Sequence, residues 1–223
     1  MRQFYNNVLK LLCLATTILV SSVVIAGSWS TASYTATRVE YDKSSQKKEK
    51  RTKIYASKQG IREEQDAKKP AERQFTVVIN FELGKTWFLV PHRKVYMEPP
   101  SADAPGVTTS DEPGTVLAPS PCQGYSKSEK RGMRSHEERK VEEWNCHSNS
   151  VGEVTQLYDP VLHVVIRSED KKGRVLELRN ILEGNQPDVL FKVPEGYRKV
   201  SLREIMTGTT ELPGYPEIAE PGK

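Results

Sequence analysis

The residue types that metal chemistry uses are concentrated in one charged segment of the chain. His136, Glu137 and Glu138 begin like the H-E-x-x-H motif of zinc proteases, whose two histidines bind the metal from one helix face. Position 140 is Lys140, so the second histidine is missing. A zinc site needs about four ligands at workable spacing, and the other histidines are scattered: His92, His147 and His163. We therefore expect no metal site and no cofactor.

Catalytic motifs of other kinds are not found in the sequence. There is no glycine-rich phosphate loop and no G-x-S-x-G segment. His163 stands alone on a predicted strand, and a histidine without a partner in view is more often a packed or surface residue than a general base. We therefore expect that the protein is not an enzyme.

The N-terminal segment has the three parts of an export signal. Arg2 and Lys10 give it a positive start, Leu11–Ile25 is uncharged and mostly apolar, and Ala26 ends a small-residue cleavage site. We expect a signal peptide over 1–26, cleaved after Ala26 with Ala32 as a second option, and a periplasmic protein. The apolar run is short for a membrane span, which needs about 20 residues, but a retained anchor is the alternative.

The two cysteines beyond this segment are Cys122 and Cys146. In an oxidising compartment the simplest expectation is that they form a disulfide bond. The bond would close a loop of about 25 residues and stabilise the protein by roughly 3 kcal/mol. Two buried thiols, or a share in a metal site, are the alternatives.

Charge and composition argue against a nucleic-acid partner. The formal net charge is +4, and removing Arg2 and Lys10 with the signal leaves 31 basic and 29 acidic residues, a net charge of +2. A nucleic-acid interface would then need a strong local basic stripe. The basic run 43–53 is the one candidate, but it has no interleaved aromatic residue and is interpreted as a solvated loop.

Short segments of alternating polarity, separated by tight turns, predict a mainly β protein. The predicted strands are Ser33–Asp42, Thr52–Ser57, Ile61–Glu64, Gln74–Phe81, Thr86–Pro91, Val95–Glu98, Glu138–Asn145, Val154–Tyr158, Val161–Ser168 and Arg174–Leu182. Gly60 is expected to supply a positive φ in the second turn. Glu177 and Arg179 are expected to point outward as an exposed ion pair.

The remaining segments define the domain organisation. Residues 99–121 are rich in proline, serine and threonine and are predicted to form a mobile loop inside one β-rich domain that spans 27–207. Residues 201–206 are predicted to form about one helical turn. The segment 208–223 contains three prolines and is predicted to be a disordered tail.

Three segments resemble a family of exported bacterial domains of unknown function. They read K-I-Y-A-S-K-Q-G-I-R-E-E from Lys53, W-F-L-V-P-H-R-K-V-Y-M-E from Trp87, and L-E-L-R-N-I followed by L-F-K-V-P-E-G-Y from Leu176. The family's G-x-E-x-x-x-G-R-x-x-x-W segment is matched in part, by Gly132, Arg139 and Trp144. The resemblance covers about 33–200, and the family in turn resembles the periplasmic lipoprotein carriers LolA and LolB.

This resemblance implies a curved antiparallel sheet that forms an incomplete barrel, with little helix and an apolar concavity. It also implies a periplasmic binding or carrier domain whose ligand is hydrophobic, such as a lipid or the acyl chain of a lipoprotein. The alternative is an envelope protein-interaction or sensing domain that binds no lipid.

The sequence also supplies more apolar surface than one thin sheet needs. The residues expected to line the concavity are Phe75, Val77, Ile79, Trp87, Leu89, Leu162, Val164 and Ile166. A packed core under a loop or helix is the alternative arrangement for the same residues. Because Trp87–Val90 is apolar on both faces, this strand is expected to lie centrally in the sheet or to face a cavity.

Overall fold

The computed structural model of the protein describes residues 32–44, 49–65, 74–99, 116–149 and 152–207. The chain is mainly β, and its strands are β1 (Tyr34–Asp42), β2 (Lys50–Ser57), β3 (Gly60–Gln65), β4 (Thr76–Asn80), β5 (Lys85–Val90), β6 (Val95–Met97), β7 (Lys127–His136), β8 (Arg139–Ser148), β9 (Gly152–Asp159), β10 (Val164–Asp170), β11 (Arg174–Glu183) and β12 (Arg198–Lys199). One short helix, α1 (Leu202–Thr207), completes the described part of the chain. The predicted signal peptide, 1–26, and the predicted tail, 208–223, lie outside the described residues.

All twelve strands belong to a single curved sheet that does not close into a barrel. Their order is β12-β6-β5-β4-β3-β2-β1-β11-β10-β9-β8-β7, and every pairing is antiparallel except that of β12 with β6. Two meanders, β1–β6 and β7–β11, are joined where β1 pairs with β11 from Tyr34 opposite Glu183 to Asp42 opposite Arg174. The predicted fold, an incomplete antiparallel barrel with little helix, is confirmed.

The reason why a glycine is needed at position 60, in the turn between β2 and β3, differs from the prediction. Gly60 has no positive φ. It is required because β4 lies close against it: a Cβ atom at Gly60 would lie 2.0 Å from the carbonyl oxygen of Ile79. A glycine in a strand often marks such a close approach of two backbones.

The main hydrophobic core lies on one face of the sheet, between β1, β2, β3, β8, β9, β10 and β11. Tyr34 and Ile54 have exposed fractions of 1% and 0%, and Leu178 from β11 lies in the same cluster. Leu162, from the turn before β10, is also completely buried there. Burial of this apolar surface is the main stabilising contribution to the fold.

The opposite face of β4–β6 is covered by residues 184–200, which we call the strap. Val78, Trp87 and Leu89 form a second buried cluster there, against Val193 and Tyr197 of the strap. Two side-chain bonds fix the strap to the sheet: Asn80 Nδ2 donates to the Phe191 carbonyl at 2.9 Å, and Arg62 donates to that of Leu190 at 3.2 Å. The strap ends in β12, which extends the sheet beyond β6.

The segment Val116–Ala118 is packed against β10. The Leu117 amide donates to the Val165 carbonyl at 3.0 Å, and the Val165 amide donates to Ala118 at 2.9 Å. Val116 is 5% exposed and belongs to the main core. The last part of the predicted 99–121 loop is therefore held in place, while 100–115 lies outside the described residues and its mobility stays a prediction.

The disulfide bond between Cys122 and Cys146 is confirmed, with an S–S distance of 2.00 Å. It fixes the chain immediately after the Val116–Ala118 segment to β8. The Cys122 amide also donates to Oε1 of the buried Gln156 at 2.7 Å, so β9 holds the same point of the chain.

A ladder of charges crosses the face of the sheet opposite the main core. Glu177 is only 4% exposed and accepts bonds from both Arg167 and Arg179. The ladder continues at both ends through ion pairs that involve Lys43, Glu49, Arg51 and Glu169. The prediction of an exposed pair was wrong for Glu177, because β10 places Arg167 directly opposite it and covers the carboxylate.

Candidate functional site

The sheet carries an open apolar surface on the face of β4–β6 that the strap does not cover. Val77, Phe88 and Met97 lie directly opposite one another on three successive strands. All three are half-buried, and Phe75, two residues before Val77, is 44% exposed. Side chains two residues apart on an extended chain share a face. We call these four residues, Phe75, Val77, Phe88 and Met97, the open strip.

The open strip continues the main core along the same face of the sheet. Ile79 shares a face with Val77 and pairs with Ile61, which belongs to the main core. Strands are spaced about 4.8 Å apart, so the strip measures roughly 10 Å from Val77 across to Met97. The apolar face of the sheet is therefore buried in the main core and becomes half-exposed at the open strip.

One side of the open strip is bordered by an ion pair. Glu63 lies opposite Val77, and its carboxylate binds the Arg38 guanidinium through two contacts of 2.8 Å. Both side chains are partly exposed, at 18% and 26%. This two-point contact holds the charges in a defined position beside an apolar surface, as polar groups do at the rim of many ligand sites.

The residues predicted to line a concavity are divided by the structure among four places. Phe75 and Val77 are in the open strip, and Ile79 lies between the strip and the core. Trp87 and Leu89 face the other way and are covered by the strap. The other three belong to the buried main core: Leu162, Val164 and Ile166.

Two residues of the open strip were not among those predicted, Phe88 and Met97. The sequence carried a signal for the first, because Trp87–Val90 is apolar on both faces. That pattern shows that neither face is fully solvated, but it does not show which face a covering segment occupies. The strap covers Trp87 and Leu89, which were predicted, and leaves Phe88 on the open face.

The charged segment with the incomplete zinc motif forms a hairpin end. His136 closes β7 and pairs with Arg139 at the start of β8. Burial lowers the pKa of His136 below its ordinary value. Within the part of the chain that the structure describes, no group of three His, Cys, Asp or Glu residues is arranged to hold a metal.

A buried carboxylate near this hairpin has a structural role. Asp159 is 1% exposed; its Oδ1 accepts the amides of Val161 and Leu162 at 2.8 and 3.0 Å, and its Oδ2 accepts Arg139 Nε. Arg139 also binds Glu183 of β11 at 2.8 Å. The guanidinium thus connects β8, β9 and β11 at one end of the curved sheet.

The fold was compared with those of known proteins. No family model and no curated protein matches the chain. Among solved structures, an uncharacterized conserved protein from Thermus thermophilus is similar, with 13% sequence identity and a TM-score of 0.50. The similarity covers 76% of this chain and 90% of that one. At this identity it concerns the fold alone.

Two further solved structures match this chain with lower TM-scores. One is the MucA/MucB complex of Pseudomonas aeruginosa, with 14% identity, a TM-score of 0.48, and 75% of this chain covered. This chain spans 57% of the matched chain in that complex. The other is a LolA superfamily protein from Nitrosomonas europaea, with 9% identity, a TM-score of 0.34, and coverage of 73% and 90%.

Proposed function

We propose that this protein is a periplasmic binding or carrier domain for a hydrophobic ligand, such as a lipid or the acyl chain of a lipoprotein. The observation that carries the proposal is the open strip. A sheet face left to solvent normally carries polar side chains. Here no described segment covers Phe75, Val77, Phe88 and Met97 on one face of β4–β6, while the other face of the same strands is already covered by the strap.

The chemistry of the open strip suits an alkyl chain. Two aromatic rings, a β-branched residue and a flexible thioether offer apolar contact and few hydrogen-bonding groups. Each methylene group that a ligand buries contributes about 0.8 kcal/mol. The Arg38–Glu63 ion pair at the rim would keep a polar head group near water while the chain lies across the strands.

The proposed compartment and domain boundaries agree with this function. A disulfide bond persists in oxidising compartments such as the periplasm. We place a signal peptide at 1–26, cleaved after Ala26, and one domain over 27–207. In the part of the chain that the structure describes, no helix is long and apolar enough to cross a membrane.

Displacement of a fluorescent fatty acid from the purified mature protein tests the proposal, together with native mass spectrometry of the protein from its own compartment. Replacing Phe88 with serine removes a half-buried ring from the strip. Losing about half of a phenylalanine's apolar contact is expected to weaken binding about ten-fold. Phe75→Ser is expected to act in the same direction with little effect on stability, because Phe75 is already 44% exposed.

The matched control is Leu182→Ser, which removes an apolar side chain that is 68% exposed and lies on β11, outside the strip. This variant is expected to bind the probe as the wild type does. Equal losses in Leu182→Ser and Phe88→Ser would show that binding is not located in the strip. Absence of copurified lipid together with absence of probe displacement would refute the function.

The exposed edge strand β7 favours a second candidate, an envelope protein-interaction domain. It has ten residues and ends the sheet, and Met133 in its middle is 57% exposed. The backbone of an edge strand can pair with an extended segment of another protein. This candidate predicts that no lipid copurifies, and that binding of the partner does not change in the Phe88→Ser variant.

A further inference from the structure

The outer corner of the sheet, where β6, β12 and α1 meet, carries a concentration of positive charge. We call it the basic corner. Within the described residues 85–98 and 198–207, the charged side chains are six cations and two carboxylates, a net charge of +4: Lys85, Arg93, Lys94, Arg198, Lys199, Arg203, Glu98 and Glu204. This exceeds the net charge of +2 that the chain keeps without the predicted signal peptide.

The corner is held in a defined shape by its own contacts. Val90, Val95 and Val200 are buried together, and Ile205 of α1 packs against them. The guanidinium of Arg93 donates to the carbonyls of Glu204 and Ile205 at 3.3 and 3.4 Å, which fixes the helix to the turn after β5.

The beginning of α1 is closed by a capping box. The Glu204 amide donates to Ser201 Oγ at 3.2 Å, and the Ser201 amide donates to the Glu204 carboxylate at 2.9 Å. The position of the following residues is therefore set. Arg203 is exposed, and Leu202 beside it is 58% exposed.

The two carboxylates of the corner do not balance its cations. Glu98 lies between Lys85 and Lys199, at 2.9 and 2.7 Å, and Glu204 binds Arg198 at 3.2 Å. The surplus of cations over carboxylates among these described residues gives the corner a net positive charge. Arg198 and Lys199 themselves keep side-chain exposures of 53% and 58%.

We propose that the basic corner docks the protein on a membrane surface that contains anionic phospholipid, with Leu202 entering the boundary between head groups and acyl chains. Cations around an exposed apolar side chain are the combination that interfacial membrane binding uses. Leu202 is the first residue of α1 and is 58% exposed, so its side chain is available to enter this boundary. The basic corner borders the open strip, because Val90 and Val95 share a face with Phe88 and Met97, but the docking does not depend on a ligand in the strip.

Cosedimentation of the mature protein with vesicles tests this docking. Binding to vesicles of phosphatidylcholine mixed with phosphatidylglycerol is expected to exceed binding to pure phosphatidylcholine and to fall as salt is raised. Each cation removed is expected to weaken binding about five-fold, so the double variant Lys94→Gln with Arg203→Gln should bind about 25-fold more weakly. Leu202→Ser should weaken binding several-fold without changing the net charge.

The matched control is Lys140→Gln with Lys172→Gln, which removes two exposed cations from the other half of the sheet. It should bind vesicles as the wild type does. Equal binding to the two vesicle types, an unchanged double variant, or an equal loss in the control would each overturn the proposal. Displacement of the fluorescent fatty acid should be the same in all these variants, which separates this result from the test of the open strip.

Discussion

Removal of the disulfide bond is expected to lower the free energy of unfolding by about 3.5 kcal/mol. Cys122 and Cys146 are 24 positions apart, so the bond closes a loop of about 25 residues, for which the chain-entropy relation gives this value. The loop contains all of β7 and most of β8. Without the bond these strands remain paired in the native state, while the unfolded chain gains freedom, and the balance shifts toward unfolding.

The loss is also expected to loosen the segment before the bond. Cys122 is held additionally by Gln156, and Val116–Ala118 packs just upstream. The double variant Cys122→Ala with Cys146→Ala avoids an unpaired thiol and a buried hydroxyl. Urea denaturation of this variant and of the reduced wild type should give the same decrease in the free energy of unfolding. The signal of the native state should depend on urea as it does in the oxidised wild type. For a domain of this size the midpoint of thermal unfolding should fall by about 10 °C.

Two results would refute this reasoning. A decrease smaller than about 1 kcal/mol would mean that the unfolded chain is already restricted in this region, so that closing the loop costs little. A peptide map under non-reducing conditions that finds Cys122 and Cys146 as free thiols would remove the bond itself. In that case the reduced wild type and the untreated wild type would unfold at the same urea concentration.

Two further predictions concern the framework of the sheet. Arg139→Gln should destabilise the protein by about 3 kcal/mol, because it leaves the carboxylate of Asp159 buried without its charged partner; urea denaturation measures this, and a change below about 1 kcal/mol would contradict it. Gly60→Ala should cost about 2–3 kcal/mol, because the new methyl group meets the Ile79 carbonyl. Gly84→Ala is the comparison, since nothing lies within 4 Å of its Cβ position and only its positive φ opposes the change, and an equal loss at both sites would contradict the close approach.

The strands with one buried face could be predicted from the sequence. In β2 the buried residues Thr52, Ile54 and Ala56 alternate with exposed or half-buried ones, because one side of the strand faces the core and the other side has different neighbours. β7 could not be predicted in the same way. Lys127–His136 is an edge strand with almost every side chain exposed, so burial imposes no alternation on it. Its pairing with β8 is what makes it a strand.

The charged residues also show a difference between what the sequence predicts and what the tertiary structure decides. Glu177 and Arg179 alternate with leucines, and from the sequence alone this favours an exposed pair. The structure buries Glu177 because β10, a different strand, brings Arg167 across from it. A local pattern describes one strand, whereas the burial of a charge depends on which partner arrives from elsewhere in the chain.

The sequence by itself determined the class of fold and the disulfide pair, because alternation and turn residues act locally and two cysteines beyond the predicted export signal leave a simple pairing. Only the tertiary structure decided which apolar face remains open. Trp87 and Phe88 are adjacent and equally apolar, yet the strap covers the first and leaves the second in the open strip. The physical reason is that burial depends on where a segment about a hundred residues later crosses the sheet, and the polarity pattern of a strand holds no information about that position.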